Sequence, residues 1–286
     1  MRLFQRLKMG LVLTKDSLLV IRRNPKLVLF PLVSGIAGLA FLVLFLGITF
    51  GLAAINPEGG MLVGLLLIYL MLTFVSSFFT AGLVHQTGEV FAGNNPSLKA
   101  GLAAAWERKW PLLIWSAIAA TIGILLNAIE SSDSPVSRIF ATLFSIGWTL
   151  MTFLIIPVIV FERTSTMGMF KESGRKFKQT FGETPVSLFA ISLISFVLAV
   201  PFYAGGFFLL QSGLTIAGIG TILAGILTAF LISQTLQGVV KTSLYFYAEN
   251  GKKPSEFDNV DFNNLNDGAP SQQPNTGTTG GFRGGQ

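Results

Sequence analysis

The sequence predicts an all-α polytopic membrane protein: six transmembrane helices in three hairpins, with basic amphipathic interfacial helices on the cytoplasmic side. Two observations carry this. Apolar runs recur at 27–55, 61–84, 111–129, 139–161, 186–210 and 214–240. Each reaches or nearly reaches the about 20 residues that cross a hydrocarbon core of about 30 Å. Of the 20 Lys and Arg residues, all except Arg138 lie in 1–26, 85–110, 162–185 or from Lys241 onward. Cytoplasmic segments retain positive charge, so both termini and the two longer loops are expected inside, with 56–60, 130–138 and 211–213 outside. A prokaryotic cell membrane is the simplest address.

Before the first run, segment 2–23 places Leu3, Phe4, Leu7, Leu11 and Leu18 in one stripe at 100° per residue. Arg2, Arg6 and Asp16 lie opposite, with Lys8 and Lys15 at the border, which is the layout of a helix in the headgroup plane. The run beginning at Leu27 is longer than the about 7–15 apolar residues of a signal peptide, so it is expected to remain as a span. Asp16 and the scarcity of serine also argue against an organellar transit peptide.

Ahead of the third run, segment 97–110 is a weaker amphipathic helix. Leu98, Leu102 and Ala105 share a face, Lys109 intrudes on it, and Trp106, Trp110 and Trp115 crowd its junction with the span, as interfacial rings do. Ahead of the fifth run, segment 163–181 sets Met167, Phe170, Gly174, Phe177 and Phe181 in a stripe, flanked by Lys171 and Lys178, with Arg175 on the far side. Lysines so placed snorkel toward phosphates. Prolines near the start of each pair (Pro25 and Pro31, Pro111, Pro185) recur at roughly 75–85 residues and suggest three stacked hairpins.

Asn24-Pro25, Asn56-Pro57 and Asn95-Pro96 are turn initiators outside the apolar runs. Pro157 and Pro201 lie inside runs and are expected to kink their helices. Residues 1–250 form the transmembrane domain in this reading. From 251 to 286 the composition turns to Gly, Asn, Gln, Pro and Thr, predicting a cytoplasmic, mostly disordered tail.

With 51% hydrophobic and 12% charged residues in 286, the spans and their connections leave no room for a separate soluble domain. The net charge of +6 sits beside spans, so its expected partner is the anionic inner leaflet and not nucleic acid. Absent cysteine and a single histidine, His85, argue against thiolate chemistry and imidazole metal sites, and no cofactor is implied. The six runs contain no Asp, Glu, Lys or Arg. That disfavours carboxylate proton relays and intramembrane His-Glu-x-x-His proteases, and no base is spaced to activate Ser34 or Ser76. The Pro-x-acid-x-x-base motif of mitochondrial carriers and the paired Asn-Pro-Ala motifs of aquaporins are both missing.

Polar groups within the runs are Ser, Thr, Asn and Gln. Those of the sixth, including Thr228, Ser233, Gln234 and Gln237 near Gly218, Gly220, Ala224 and Gly225, read as helix packing. The alternative is a polar path in which Thr228, Gln234 and Gln237 line one side and the prolines open and close it. The stretch His85-Gln86-Thr87-Gly88-Glu89 reads as helix termination at Gly88, and Tyr245, Phe246 and Tyr247 as an aromatic anchor at the inner interface.

The opening RLFQRLKMGLVLTKDSLLVIRRNPKLVLFPLVSG (2–35), His85 before Gly93-Asn94-Asn95-Pro96, and YFYAENGKKPSEFD (245–258) together resemble a family of uncharacterised prokaryotic six-span membrane proteins. The likeness covers most of 1–260 and implies a fold and an address but no activity. More loosely, the basic amphipathic segments are similar to membrane domains attached to some glycerophosphodiesterases, whose soluble catalytic domain has no counterpart here. The resulting expectation is a non-enzymatic, structural or accessory protein. Its cationic face (Arg22, Arg23, Lys26, Arg108, Lys109, Lys171, Arg175, Lys176 and Lys178) contacts anionic lipid or a membrane-protein partner. The alternative is a small-molecule permease or channel along the sixth span.

Overall fold

Every apolar run is helical in the computed structural model, which describes the backbone of residues 2–131, 134–179 and 184–250 and the side chains of 12–131, 134–178 and 188–249. Ten helices are described: α1 (Arg2–Arg23), α2 (Leu29–Ile55), α3 (Pro57–Phe91), α4 (Leu98–Glu107), α5 (Lys109–Glu130), α6 (Pro135–Thr152), α7 (Ile155–Phe161), α8 (Thr166–Gln179), α9 (Thr184–Gln211) and α10 (Thr215–Asn250). A 3-10 turn, Pro25–Val28, leads into α2. Six stretches are long and apolar enough to cross a membrane, with α6 and α7 forming one of them. The chain is an all-α polytopic membrane protein.

The hairpin turns define one end of the bundle and α1, α4 and α8 the other, here the turn end and the terminal end. The α2–α3 turn is a single residue, Asn56, whose Oδ1 accepts from the Gly59 amide at 3.0 Å and caps α3. So short a turn forces the backbones together. A Cβ at Gly60 would sit 2.2 Å from the Leu52 carbonyl oxygen, and one at Gly64 2.4 Å from Thr49. The α9–α10 hairpin uses the same device at Gly206, Gly218 and Gly225, whereas Gly220 faces open space. Its turn closes at Gly213, where φ is +79°.

The fourth span is broken, as Pro157 foretells. Its ring cannot accommodate the carbonyl four residues back, Phe153, and α6 gives way to α7 at Phe153 and Leu154. The break is stitched from outside, because the Ser173 hydroxyl of α8 donates to the Met151 carbonyl at 2.7 Å. Pro201 breaks nothing, and α9 runs on through it.

At 35 and 36 residues, α3 and α10 are about 52 and 54 Å long. Each outreaches an about 30 Å hydrocarbon core by some 20 Å. Their overhang lies at the terminal end, where α1 packs on α9 and α10, α4 on α3, and α8 on α6, α7 and α10. Leu13, Val20, Leu27, Phe30, Leu83, Leu154, Leu236 and Leu244 form one core there, and Val84, Leu112, Ile155, Val158 and Met169 another. The turn end is lined by lipid-facing residues such as Ile55, Leu62, Val136 and Ile216.

This packing corrects several sequence expectations. The buried face of α1 is Leu13, Thr14, Asp16, Ser17, Val20 and Ile21, so Asp16, expected outward, is only 2% exposed. Small and hydroxyl-bearing faces pack best where lipid already solvates leucine. The side chains of Leu3, Phe4, Leu7 and Leu11 lie outside the described residues, as do Phe181 and the expected tail. In α8 the buried face is Met169, Ser173, Lys176 and Phe177, while Met167 is 78% exposed. Trp115 is not interfacial; it stacks on Trp148 at 6.0 Å inside the bundle. Helix α3 does not stop at Gly88 but ends at Phe91, before Gly93 at φ +84°. Gly88 instead admits the Phe161 ring, which a Cβ would meet at 2.9 Å. Tyr245 and Tyr247 are buried, not an interfacial anchor, with Tyr245 stacked on Phe161 at 5.2 Å.

Candidate functional site

Between α3, α5, α6, α7, α9 and α10 lies a cavity of about 770 Å³. Its lining draws Tyr69, Thr73, Ser76, Ser77 and Thr80 from α3, Trp115 from α5 and Thr149 and Thr152 from α6. Ile155 and Ile156 from α7, Leu188 from α9 and Gln234, Gln237, Gly238 and Lys241 from α10 also line it. A second cavity of about 410 Å³ between α2, α3 and α10 shares Leu72, Ser76, Thr80 and Gln234 with the first. The structure thus brings together two residues of the expected polar path, Gln234 and Gln237. The third, Thr228, lines neither cavity, and its hydroxyl donates to the Ala224 carbonyl on its own helix at 2.8 Å.

The hydroxyls divide into two groups. Thr73 and Thr152 donate to carbonyls one turn back, at 2.7 and 2.8 Å, which satisfies them locally. Ser76, Ser77, Thr80 and Gln234 make no hydrogen bond to protein among the described residues. Gln237 reaches Ser233 only at 3.4 Å. The cavity therefore presents unused donors and acceptors to whatever fills it.

Lys241 is the residue sequence reading missed. Grouped with the charged tail because it follows the last apolar run, it lies within α10, which continues nine residues further to Asn250. The available signal was helical spacing: Val240, Leu244 and Tyr247 continue a buried stripe past Lys241. Its ammonium lies 5.2 Å from the centre of the Phe153 ring.

The predicted cationic face is only partly a face. Arg22, Arg23, Lys26, Lys171, Arg175 and Lys178 are exposed, and Arg108 and Lys109 are half-buried, with Lys109 over the Trp106 ring at 4.3 Å. Arg175 is shared with Glu172, its Nε donating at 2.8 Å. Lys176 is a correction: at 1% exposure it offers nothing to a headgroup. It pairs with Glu249 and, at 3.2 Å, with Glu162, and lies 4.6 Å over the Tyr245 ring. The Tyr245 hydroxyl also donates to Glu162, at 3.0 Å. Lys176 joins α8 to the ends of α7 and α10. On the opposite side Gln86, buried, accepts from the Ser97 amide at 2.6 Å and its Nε2 lies 3.2 Å from His85 Nδ1, anchoring the start of α4.

Among the described residues no three of His, Asp and Glu cluster closely enough to hold a metal ion. Residues 59–255 match a family described as a family of unknown function (DUF6159). The chain belongs to it. The match runs from the start of α3 past the end of α10 and contains Lys176, Gln234, Gln237 and Lys241. It leaves out α1, α2 and the cations Arg22, Arg23 and Lys26. No curated protein and no solved structure matches the chain.

Proposed function

We propose that this DUF6159 protein is a non-enzymatic, multi-pass component of a prokaryotic cell membrane, with both termini cytoplasmic, whose cationic terminal end holds anionic lipid of the inner leaflet. Sorting of charge carries the reading. Nine described cations, Lys15, Arg22, Arg23, Lys26, Lys99, Arg163, Lys171, Arg175 and Lys178, are exposed at the terminal end, whereas the described charged side chains at the turn end are Glu58, Glu130 and Arg138. Each surface cation near a charged leaflet contributes about 1 kcal/mol. Trp106 and Trp110, exposed at that end, serve as native reporters.

With the full chain in bilayers, brominated phosphatidylglycerol should quench tryptophan fluorescence more than brominated phosphatidylcholine. The excess should fall at about 1 M salt, where the screening length shrinks to about 3 Å, and in a Lys171→Gln, Arg175→Gln, Lys178→Gln variant. Equal quenching by both lipids would remove the lipid reading and leave a membrane-protein partner as the occupant of these cations.

The cavity favours a second reading, a small-molecule permease with its polar path along α10. Replacing Gln234 and Gln237 with leucine should then abolish flux while the protein still assembles, and unchanged flux would end that reading.

A further inference from the structure

We infer that the α3–α10 cavity is a binding site for an anionic amphiphile, with the charged head at Lys241 and the chain along the apolar wall. The inference does not depend on the surface cations, none of which lines the cavity.

Three observations point the same way. First, Lys241 lies about 39 Å along α10 from Thr215, at the level where an about 30 Å hydrocarbon core gives way to headgroups. No carboxylate lies within 4 Å of it among the described residues. The contrast with Lys176, held by two glutamates, is direct. An enclosed cation calls for a counter-charge, and here the described residues supply only the face of Phe153.

Second, Gln234, Gln237 and Lys241 follow one another at i, i+3 and i+7 on one face of α10, so polar groups continue inward from the ammonium for about 10 Å. Across from them stand the hydroxyls of Ser76 and Thr80, which have no protein partner among the described residues. Such a strip suits a head with several acceptor oxygens, a carboxylate or a phosphate ester. Ile68, Leu72, Trp148, Ile155 and Ile156 supply an apolar wall to the same cavity, interrupted by Tyr69, Thr73 and Thr149.

Third, α6 makes no extensive contact with α9 or α10 among the described residues, so no helix packing closes the cavity between them. That gap admits a ligand sideways from the bilayer with its tail still in hydrocarbon. The volume of about 770 Å³ is that of a small-molecule site.

The test uses the full chain in phosphatidylcholine nanodiscs titrated separately with a long-chain fatty acid, with phosphatidic acid, and with acetate or inorganic phosphate alone, bound molecules being counted by native mass spectrometry. One amphiphile per chain should be retained, and the first two arms identify whether its head is a carboxylate or a phosphate. Lys241→Gln should weaken retention by about 10- to 100-fold, as expected for loss of a charge-assisted contact, and Lys241→Arg should preserve it. Lys171→Gln with Lys178→Gln should leave it unchanged, separating this site from the leaflet-facing cations. Because the chain has no cysteine, Thr149→Cys can be labelled with a bulky maleimide after assembly. Blocking the cavity should then abolish retention in a protein already folded. Retention that survives both Lys241→Gln and the label, equal retention of phosphatidylcholine, equal binding of the tail-less anions, or no retention at all would each overturn the assignment.

Discussion

Substituting glutamine for both Glu162 and Glu249 should lower the free energy of unfolding by about 3–5 kcal/mol, the cost of stranding a buried charge. The prediction follows from an asymmetry in burial. The Lys176 side chain is 1% exposed, whereas those of Glu162 and Glu249 are 21% and 48% exposed. Removing the carboxylates leaves an ammonium enclosed by α7, α8 and α10, beside the Tyr245 ring, without the two counter-charges that now pair with it. Removing the ammonium instead, as Lys176→Met, leaves two carboxylates that reach water, so this change should cost markedly less. The triple variant should recover most of the loss, because a methionine of similar length asks for no counter-charge. Unfolding by denaturing detergent, followed by circular dichroism, measures all three. A double variant as stable as the parent would mean that Lys176 is solvated and the cage is not structural.

The reasons this cage escaped the sequence reading differ from the reasons the spans were legible. A span is announced by length and composition alone, because lipid makes every unsatisfied backbone group costly over a fixed thickness. Pro157 acts through a local clash, and the break it causes falls at the expected carbonyl. Lys176, by contrast, sits among Lys171, Arg175 and Lys178 with nothing in its neighbours to set it apart. Its partners lie 14 residues upstream and 73 downstream, and only docking of α8 against α10 brings them together. Asp16 and Lys241 were misassigned for the same reason. Lys241 reads as solvent-facing because it follows an apolar run, and Asp16 because it lies opposite an apolar stripe, but packing against other helices encloses both positions. Here α3 and α10 outreach the membrane, and the segments read as flat surface helices pack against the overhang.

Replacing Gly60 with alanine should destabilise the protein by about 1–3 kcal/mol or more, the cost of overpacking, although alanine is the better helix former by up to about 1 kcal/mol. The steric conflict decides the sign. The added methyl would meet the carbonyl oxygen and carbon of Leu52 at 2.2 and 2.3 Å and the Ala53 nitrogen at 2.6 Å. These are backbone atoms of a helix and cannot rotate aside as a side chain would. With Asn56 alone joining α2 to α3, the turn has no slack, so relief requires the helices to part and the Gly64–Thr49 approach to loosen with them. Gly51, on the same hairpin, has nothing within 4 Å of its added Cβ. Gly51→Ala should therefore be neutral or stabilising, through helix propensity alone. The pair separates packing from propensity within one hairpin, and if both changes shifted stability in the same direction, close approach of α2 and α3 would not be what holds this hairpin together.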